Sequence, residues 1–429
     1  MSGQRFALIV LDGLGDRPAP GIATPLAAAA TPHLDRMAKE GRTGLLSILG
    51  PGVAPESDAG VLALLGYSPV DDSPGRGVLE ALGAEIPLAP GDVALRTNFA
   101  TVDGSGLVVD QRVGRNLTTS EGSRLAAAVT AAQLLAEEGI QAELRSTVGH
   151  RGVLWLHPTD GGSLSAQVSN SDPFYDRRGG LGQARTVDRP EPRTVLALDP
   201  DPASERTAEA LNRFLERVPA LLARQEVNAR RALAGKRIAN AVLLRNAGSL
   251  PRTPPTSFSE RYGMEGAAVT EMPVERGIAR LFGLEDRFVG PMGADRAASL
   301  RERAQQTRRA LSDRAFVYVH LKGPDEPGHD GDGPRKREMI EAIDADFIGP
   351  FLEGLASGVR VAVTADHATP VVVHGHSDDP VPVLLWDSGV RPAGPAGKAF
   401  SEEECARGAL GTRSARELLP LLLAPTSFG

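Results

Sequence analysis

The 429-residue chain holds one cysteine, Cys405, so no disulfide can form within it, which fits a reducing, cytoplasmic setting. Aromatic residues are few: 12 Phe, 2 Trp and 4 Tyr make 4%, so the core must be built from Leu, Val, Ile and Ala. No tract of Lys and Arg is present, and 47 basic against 54 acidic residues leave a net charge of −7. Nucleic acid and anionic membrane surfaces are therefore not the expected partners. Long apolar runs are missing too. Phe6–Leu11 stops at Asp12, too short for a signal peptide, and no stretch reaches the roughly 18 apolar residues of a membrane span. What remains is 41% apolar and 24% charged residues, the composition of a globular protein with two to three domains of ordinary size. Histidine is unevenly spread: there are eight, and five lie between His320 and His376.

The run Phe6–Leu11 followed by Asp12-Gly13 reads as a strand buried on both faces, with Asp12 at its carboxyl end, where open α/β sheets hold ligands. Thr24-Pro25 and Thr31-Pro32 mark two capped helix starts. Toward the other end, 315–321, 359–364 and 381–386 read as strands, 336–355 as one helix and 415–423 as a last amphipathic helix. Alternation at both ends implies one doubly wound α/β domain assembled from both ends of the chain. The middle differs. Short alternating runs at 95–102, 107–110, 142–148 and 152–156 accompany an Ala-rich helix over 123–138 that stops at Gly139, and 157–200 has the composition of a loop or lid. The expected division is a core of 1–90 with 239–429 and an inserted α+β domain over 91–238.

Three constellations carry chemistry. Asp325 and His329 are four apart, on one side of a helical turn, so both can reach one metal ion. Asp366-His367 follows the strand 359–364, with His376 in the loop beyond. With Asp12, that makes three carboxylates and three imidazoles at the ends of strands in one sheet, a donor set for two divalent ions of the Mn²⁺ or Zn²⁺ type. Paired metals suit phosphoryl transfer. The third is the turn Gly52–Asp58 leading into an apolar helix over 59–65, which sets the Ser57 hydroxyl at a helix N-terminus. Either Ser57 is an ordinary cap, or it is a nucleophile activated by the metals.

These motifs resemble those of the archaeal cofactor-independent phosphoglycerate mutases, within the alkaline phosphatase superfamily. The resemblance runs through Leu11–Pro18, Thr31–Asp35, Ser57-Asp58, Leu64–Tyr67, Gly75–Gly77, Leu79–Gly83, Asn98–Thr101, Val148–Val153, Asn240–Arg245, Lys322–Asp332 and Ala365–Pro382. It implies an alkaline-phosphatase-like doubly wound sheet with a smaller cap, and an isomerase interconverting 3-phosphoglycerate and 2-phosphoglycerate through phosphoserine on Ser57. It further implies one metal on Asp325, His329 and His376 and another on Asp12, Ser57, Asp366 and His367. Mn²⁺ is the expected ion, with Zn²⁺, Mg²⁺ or Co²⁺ as alternatives, and 2,3-bisphosphoglycerate is not required. A mutase must also exclude water and hold its intermediate. Arg112, Arg115, His150, Arg151, Arg245 and Lys322 are the substrate-binding candidates, the last two at expected core-strand ends, and Asp172 is the candidate acid/base for the hydroxyls of glycerate. His320 and His374 are candidates for orienting the ligands. Monomer and homo-oligomer stay open. The chain departs from the family pattern at Val61, Asn170, Phe174 and the loop Gly290–Gly293. A phosphomutase or phosphohydrolase for another small phosphorylated or phosphonate acid therefore stays open as the alternative.

Overall fold

The computed structural model describes residues 4–178, 181–185, 187–389 and 399–424. The chain divides into two compact units, Met1–Asp72 with Thr256–Gly429, and Ser73–Pro255.

The first unit is built on an eight-stranded sheet. In spatial order its strands are Glu285–Phe288, Gly266–Thr270, Phe316–Leu321, Arg5–Leu11, Val359–Thr364, Val381–Asp387, Arg42–Ser47 and Gly411–Ser414. The first five are parallel, while Val381–Asp387 runs antiparallel to both neighbours. Sequence dictates this order. Ala7–Leu11, Phe316–Leu321 and Val361–Val363 are completely or almost completely buried, which only the middle of a sheet covered on both faces allows. Each such Leu, Ile or Val contributes about 1.5–3 kcal/mol by leaving water. The consequence for function is placement: the segments carrying Asp12, Lys322–His329 and Asp366-His367 leave adjacent parallel strands at the same edge.

Several local expectations are corrected. The helix expected over 336–355 begins at Gly333, capped by Asp332, and opens at Asp344–Ile348 into a wider π turn before the short helix Gly349–Leu352. Pro350 has no N–H for a regular α turn, and the wider turn relieves it. Thr31 makes no capping bond; Asp344 does that work from outside, accepting from the N–H groups of His33 (3.1 Å) and Leu34 (2.8 Å). The Ala-rich helix runs over Thr119–Ala131, because Thr118 and Glu121 form a capping box four residues before the expected start. Gln133, at φ 44°, breaks it, and only a 3₁₀ turn, Ala136–Glu138, follows before Gly139. The amphipathic helix expected over 415–423 is a 3₁₀ turn, Ala415–Glu417, continuing as the helix Leu418–Leu423.

The second unit holds a five-stranded sheet. Its long strand Val93–Val102 pairs with Arg151–Pro158 and with Ala241–Ser249, both antiparallel, and Ile140–Ser146 lies outside Arg151–Pro158. The helices Arg76–Gly83, Thr119–Ala131 and Pro202–Ala223 belong to this unit. The strand with Arg245, which the sequence places in the core domain, is thus part of the middle unit's sheet. In register Arg245 faces Arg96, 149 positions earlier in the chain, a pairing that local pattern cannot reveal. Within 157–200 the described residues include the two-stranded hairpin Tyr175–Arg178 and Leu181–Ala184.

Candidate metal centre and anion-binding face

Two groups of metal-capable side chains form at the sheet edge of the first unit: Asp325, His329 and His376, and the buried Asp12, Asp366 and His367. In each group the candidate ligand atoms all lie within 4.8 Å of one another. Asp325 Oδ1 is 3.5 Å from His329 Nε2 and 3.4 Å from His376 Nε2. His367 Nε2 is 3.4 Å from Asp12 Oδ1 and 3.5 Å from Asp366 Oδ2. The two groups abut, because the rings of His367 and His376 stack with centroids 3.7 Å apart. Asp12 Oδ1 is buried without a hydrogen-bond partner, the state of an oxygen whose natural partner is a cation. The residues present therefore fit two divalent ions.

Two of the imidazoles are aimed by backbone. His376 Nδ1 lies 2.8 Å from the carbonyl of Pro55, and His329 Nδ1 lies 3.3 Å from that of His374, so in each case Nδ1–H donates and Nε2 is presented to Asp325. His374 itself sits at φ 57°, and it meets His329 through its carbonyl. His320 bonds Asp366 Oδ2 at 3.3 Å through Nε2.

Ser57 is the first residue of the helix Ser57–Leu64, whose N-cap residue Glu56 makes no side-chain capping bond. Its hydroxyl instead lies 3.3 Å from His367 Nε2. Gly60, one turn on, lets the helix start rest on the strand end, since a Cβ there would lie 2.1 Å from the Asp366 carbonyl oxygen.

Lys322 does not stand free for an anion. Its ammonium is 3.1 Å from Asp12 Oδ2 and 2.8 Å from Glu275 Oε1. Burial alone would raise the Asp12 carboxyl, but Lys322, and then His367 and His320, hold it well below the usual carboxylate range. Burial likewise opposes the charge on Lys322, and Asp12, Glu275 and Asp366 outweigh it. Glu275 was not legible in sequence: an acid after Met272-Pro273 looks like an ordinary first-turn helix residue, yet its side chain is buried.

The arginines gather in the second unit. Arg96 and Arg245 are directly opposite across neighbouring strands, and Arg151 is opposite Asn98, two residues along from Arg96, so all three fall on one face of the sheet. Like charges so placed repel. Burial, then Arg76, with Arg245 and Arg151 adding to them, pushes the Arg96 guanidinium down to about 9. Glu80 offsets part of this, 3.2 Å from both Arg76 and Arg96. Burial would raise the Glu80 carboxyl, but Arg96 and Arg76 prevail and lower it. His150 is pushed down to about 3 by burial first and then by Arg151, Arg112, Arg96 and Arg245. It is therefore a neutral imidazole at neutral pH.

Arg245 lies over the Tyr175 ring, 3.6 Å from its centroid, and bonds Asp172 Oδ2 at 3.2 Å. The Asp172 carboxylate is fully buried and also accepts from the Phe174 N–H. Arg112 and Arg115 flank a left-handed stretch, Val113 (φ 51°), Gly114 (φ 69°) and Arg115 (φ 53°). A β-branched residue there is strained, on the order of 1–3 kcal/mol. The buried Arg231 holds the stretch by bonding the carbonyls of Val113 and Asn116. Arg96 did leave a sequence signal, a charge with Thr97 and Asn98 between the apolar segments Val93–Leu95 and Phe99-Ala100.

Residues 38–228 match the family model of 2,3-bisphosphoglycerate-independent phosphoglycerate mutase. A protein of that name from Aeropyrum pernix is 45% identical over 413 residues, covering 95% of this chain and 96% of its own. Another, from Methanopyrus kandleri, is 41% identical over 428 residues, covering 98% and 96%. The chain belongs to this family.

Its members are isomerases, and the fold goes with them. A solved structure of a Pyrococcus horikoshii protein superposes with TM-score 0.76 at 29% identity, covering 98% of this chain and 96% of that one. The cofactor-independent phosphoglycerate mutase of Thermoplasma acidophilum gives 0.62 at 31%, covering 98% and 99%. The fold is accordingly the α/β fold of that enzyme.

The departures from the family pattern are absorbed by the fold. Val61 is buried in its helix. Asn170 donates to the Tyr175 carbonyl and accepts from the Asn246 N–H. Phe174 packs on Ala100, Val108, Ala241 and Leu243. In the loop Gly290–Gly293, the Gly290 carbonyl accepts from Arg303 and the Gly293 N–H donates to Ser299. Among the described residues no helix is long and apolar enough to cross a membrane.

Proposed function

We propose that this chain interconverts 3-phosphoglycerate and 2-phosphoglycerate in the cytoplasm by passing the phosphoryl group through Ser57. The observation that carries the reading is the Ser57 hydroxyl, at the first residue of a helix and 3.3 Å from His367, beside two groups of metal-capable side chains. We assign one ion to Asp325, His329 and His376 and the other to Asp12, Ser57, Asp366 and His367. Mn²⁺ suits this mixed oxygen and imidazole set, with Zn²⁺, Mg²⁺ or Co²⁺ as substitutes. Two such ions supply Lewis-acid charge that favours the serine alkoxide and neutralises the phosphoryl oxygens.

The chain's own groups do the rest. Ser57 Oγ bonds to phosphorus as the bond to the glycerate oxygen breaks, and that oxygen takes up a proton. The glycerate then presents its other hydroxyl, which loses its proton as it attacks the phosphoserine and restores Ser57. The positive end of the helix dipole at Ser57 favours the anionic phosphoryl group during both steps. Arg112, Arg115, Arg151 and Arg245, with neutral His150 as a hydrogen-bond partner, suit the carboxylate and phosphate of the substrate. Asp172 is assigned to the hydroxyl protons of glycerate, and Lys322 to fixing Asp12 and contributing positive charge at the metal groups.

Because Val61, Asn170 and Phe174 are taken up by packing and internal hydrogen bonds, no observation favours the other small phosphorylated or phosphonate acids. The test is purified protein with Mn²⁺ and 3-phosphoglycerate, coupled to enolase. Formation of 2-phosphoglycerate outpacing release of free phosphate supports the reading. Free phosphate as the main product overturns it.

A further inference from the structure

Of the three histidines that face the metal groups, two are oriented by carbonyls, which can only accept. The third, His367, is oriented differently. Its Nδ1 is 3.0 Å from the hydroxyl of Thr369, which is fully buried. A hydroxyl can give or take, so this contact alone does not fix where the imidazole proton sits.

The second contact of the same oxygen decides it. Thr369 Oγ1 is 2.8 Å from Asp325 Oδ1, a carboxylate oxygen of the other metal group. That oxygen also faces His329 Nε2 at 3.5 Å and His376 Nε2 at 3.4 Å, and a carboxylate oxygen can only accept. The single hydroxyl proton therefore points to Asp325. Toward His367 the oxygen presents a lone pair, Nδ1 must carry the proton, and Nε2 is left bare toward Asp12, Asp366 and Ser57.

The threonine is itself held from behind. The buried Lys336 ammonium donates to the Thr369 carbonyl (2.8 Å), the Gly15 carbonyl (2.9 Å) and Asp16 Oδ2 (2.9 Å), using its three protons. The Thr369 N–H donates to Gly15. Glycines close the space in front: a Cβ on Gly13 would lie 2.7 Å from the Thr369 hydroxyl, and one on Gly328 would lie 2.5 Å from its carbonyl oxygen. A hydroxyl so enclosed has no room to turn away.

We propose that Thr369 is a positioning residue that sets the ligand tautomer of His367 and couples the two metal groups through one shared hydroxyl. The proposal rests on the dinuclear reading given under Proposed function, but its first test does not need metal. In metal-free wild-type protein at mildly alkaline pH, long-range ¹H–¹⁵N correlation should show His367 protonated on Nδ1. Protonation on Nε2 overturns the proposal, and no variant is needed to see it.

The second test is titration of Mn²⁺ into wild type, Thr369→Ser and Thr369→Val, with thermal melting to confirm that each is folded. Ser keeps the hydroxyl and should bind like wild type. Val keeps the shape without the oxygen and should weaken Mn²⁺ binding by about ten- to a hundredfold. Wild-type affinity in Thr369→Val overturns the proposal. Wild type that binds fewer than two ions counts instead against the dinuclear reading, and the tautomer measurement still decides on Thr369.

Discussion

Gly60→Ala changes one hydrogen for a methyl group, yet the account gives it a large effect. Gly60 lies in the first turn of the helix that begins at Ser57, and the added Cβ would fall 2.1 Å from the Asp366 carbonyl oxygen and 2.9 Å from its carbonyl carbon. Ordinary contacts of this kind are about 3.5 Å, so helix start and strand end must separate by roughly 1 Å. Neither is a side chain that can swing aside. Overpacking of this sort costs about 1–3 kcal/mol of stability. Activity should suffer more, because Ser57 and Asp366 are on opposite sides of the new contact, and a displacement of about 1 Å costs on the order of a hundredfold in rate. Steady-state mutase kinetics and urea unfolding on the same preparation measure both. A Gly60→Ala protein with wild-type kcat would refute the claim that the helix start and the strand end are held in register for catalysis.

Other expectations follow from the same contacts. Asp366→Asn replaces a buried carboxylate, the proposed ligand, by a neutral amide, so calorimetric titration should show at least about tenfold weaker Mn²⁺ binding. If Arg151 binds the substrate as proposed, Arg151→Gln removes a charge-assisted contact worth about 1.5–3 kcal/mol, expected as a KM for 3-phosphoglycerate raised by roughly ten- to a hundredfold. Glu402 is pushed up to about 7, chiefly by burial, which the Thr24 hydroxyl only partly offsets. The folded protein therefore holds this proton more tightly than the unfolded chain, so the acid supports folding below about 4.5 and that support is lost as pH rises through 7. Glu402→Gln should remove this part of the pH dependence, an effect of at most about 3 kcal/mol between mildly acidic and mildly alkaline urea titrations. Equal pH slopes for the two proteins would contradict it.

The candidate ligands were legible in sequence because each follows directly on a strand or a helical turn whose pattern is local. Asp12 ends an apolar run, Asp366-His367 ends another, and Asp325 and His329 share one turn. What could not be read depends on contacts between distant segments. Glu275 and Thr369 look ordinary where they stand, and only the fold brings them to Lys322 and to Asp325. Arg245 was assigned to the wrong sheet because its strand pairs with Val93–Val102, far away in the chain. The cap on the helix Pro32–Glu40 was misread for the same reason: Asp344 lies in another helix altogether.

The central claim is that Ser57 carries the phosphoryl group. It is tested by mixing Mn²⁺-loaded protein with 3-phosphoglycerate, quenching with acid during turnover and mapping phosphorylated peptides by mass spectrometry. The account predicts phosphate on Ser57 in wild type, with neither the modification nor mutase activity in folded, metal-binding Ser57→Ala. Production of 2-phosphoglycerate by Ser57→Ala would contradict it.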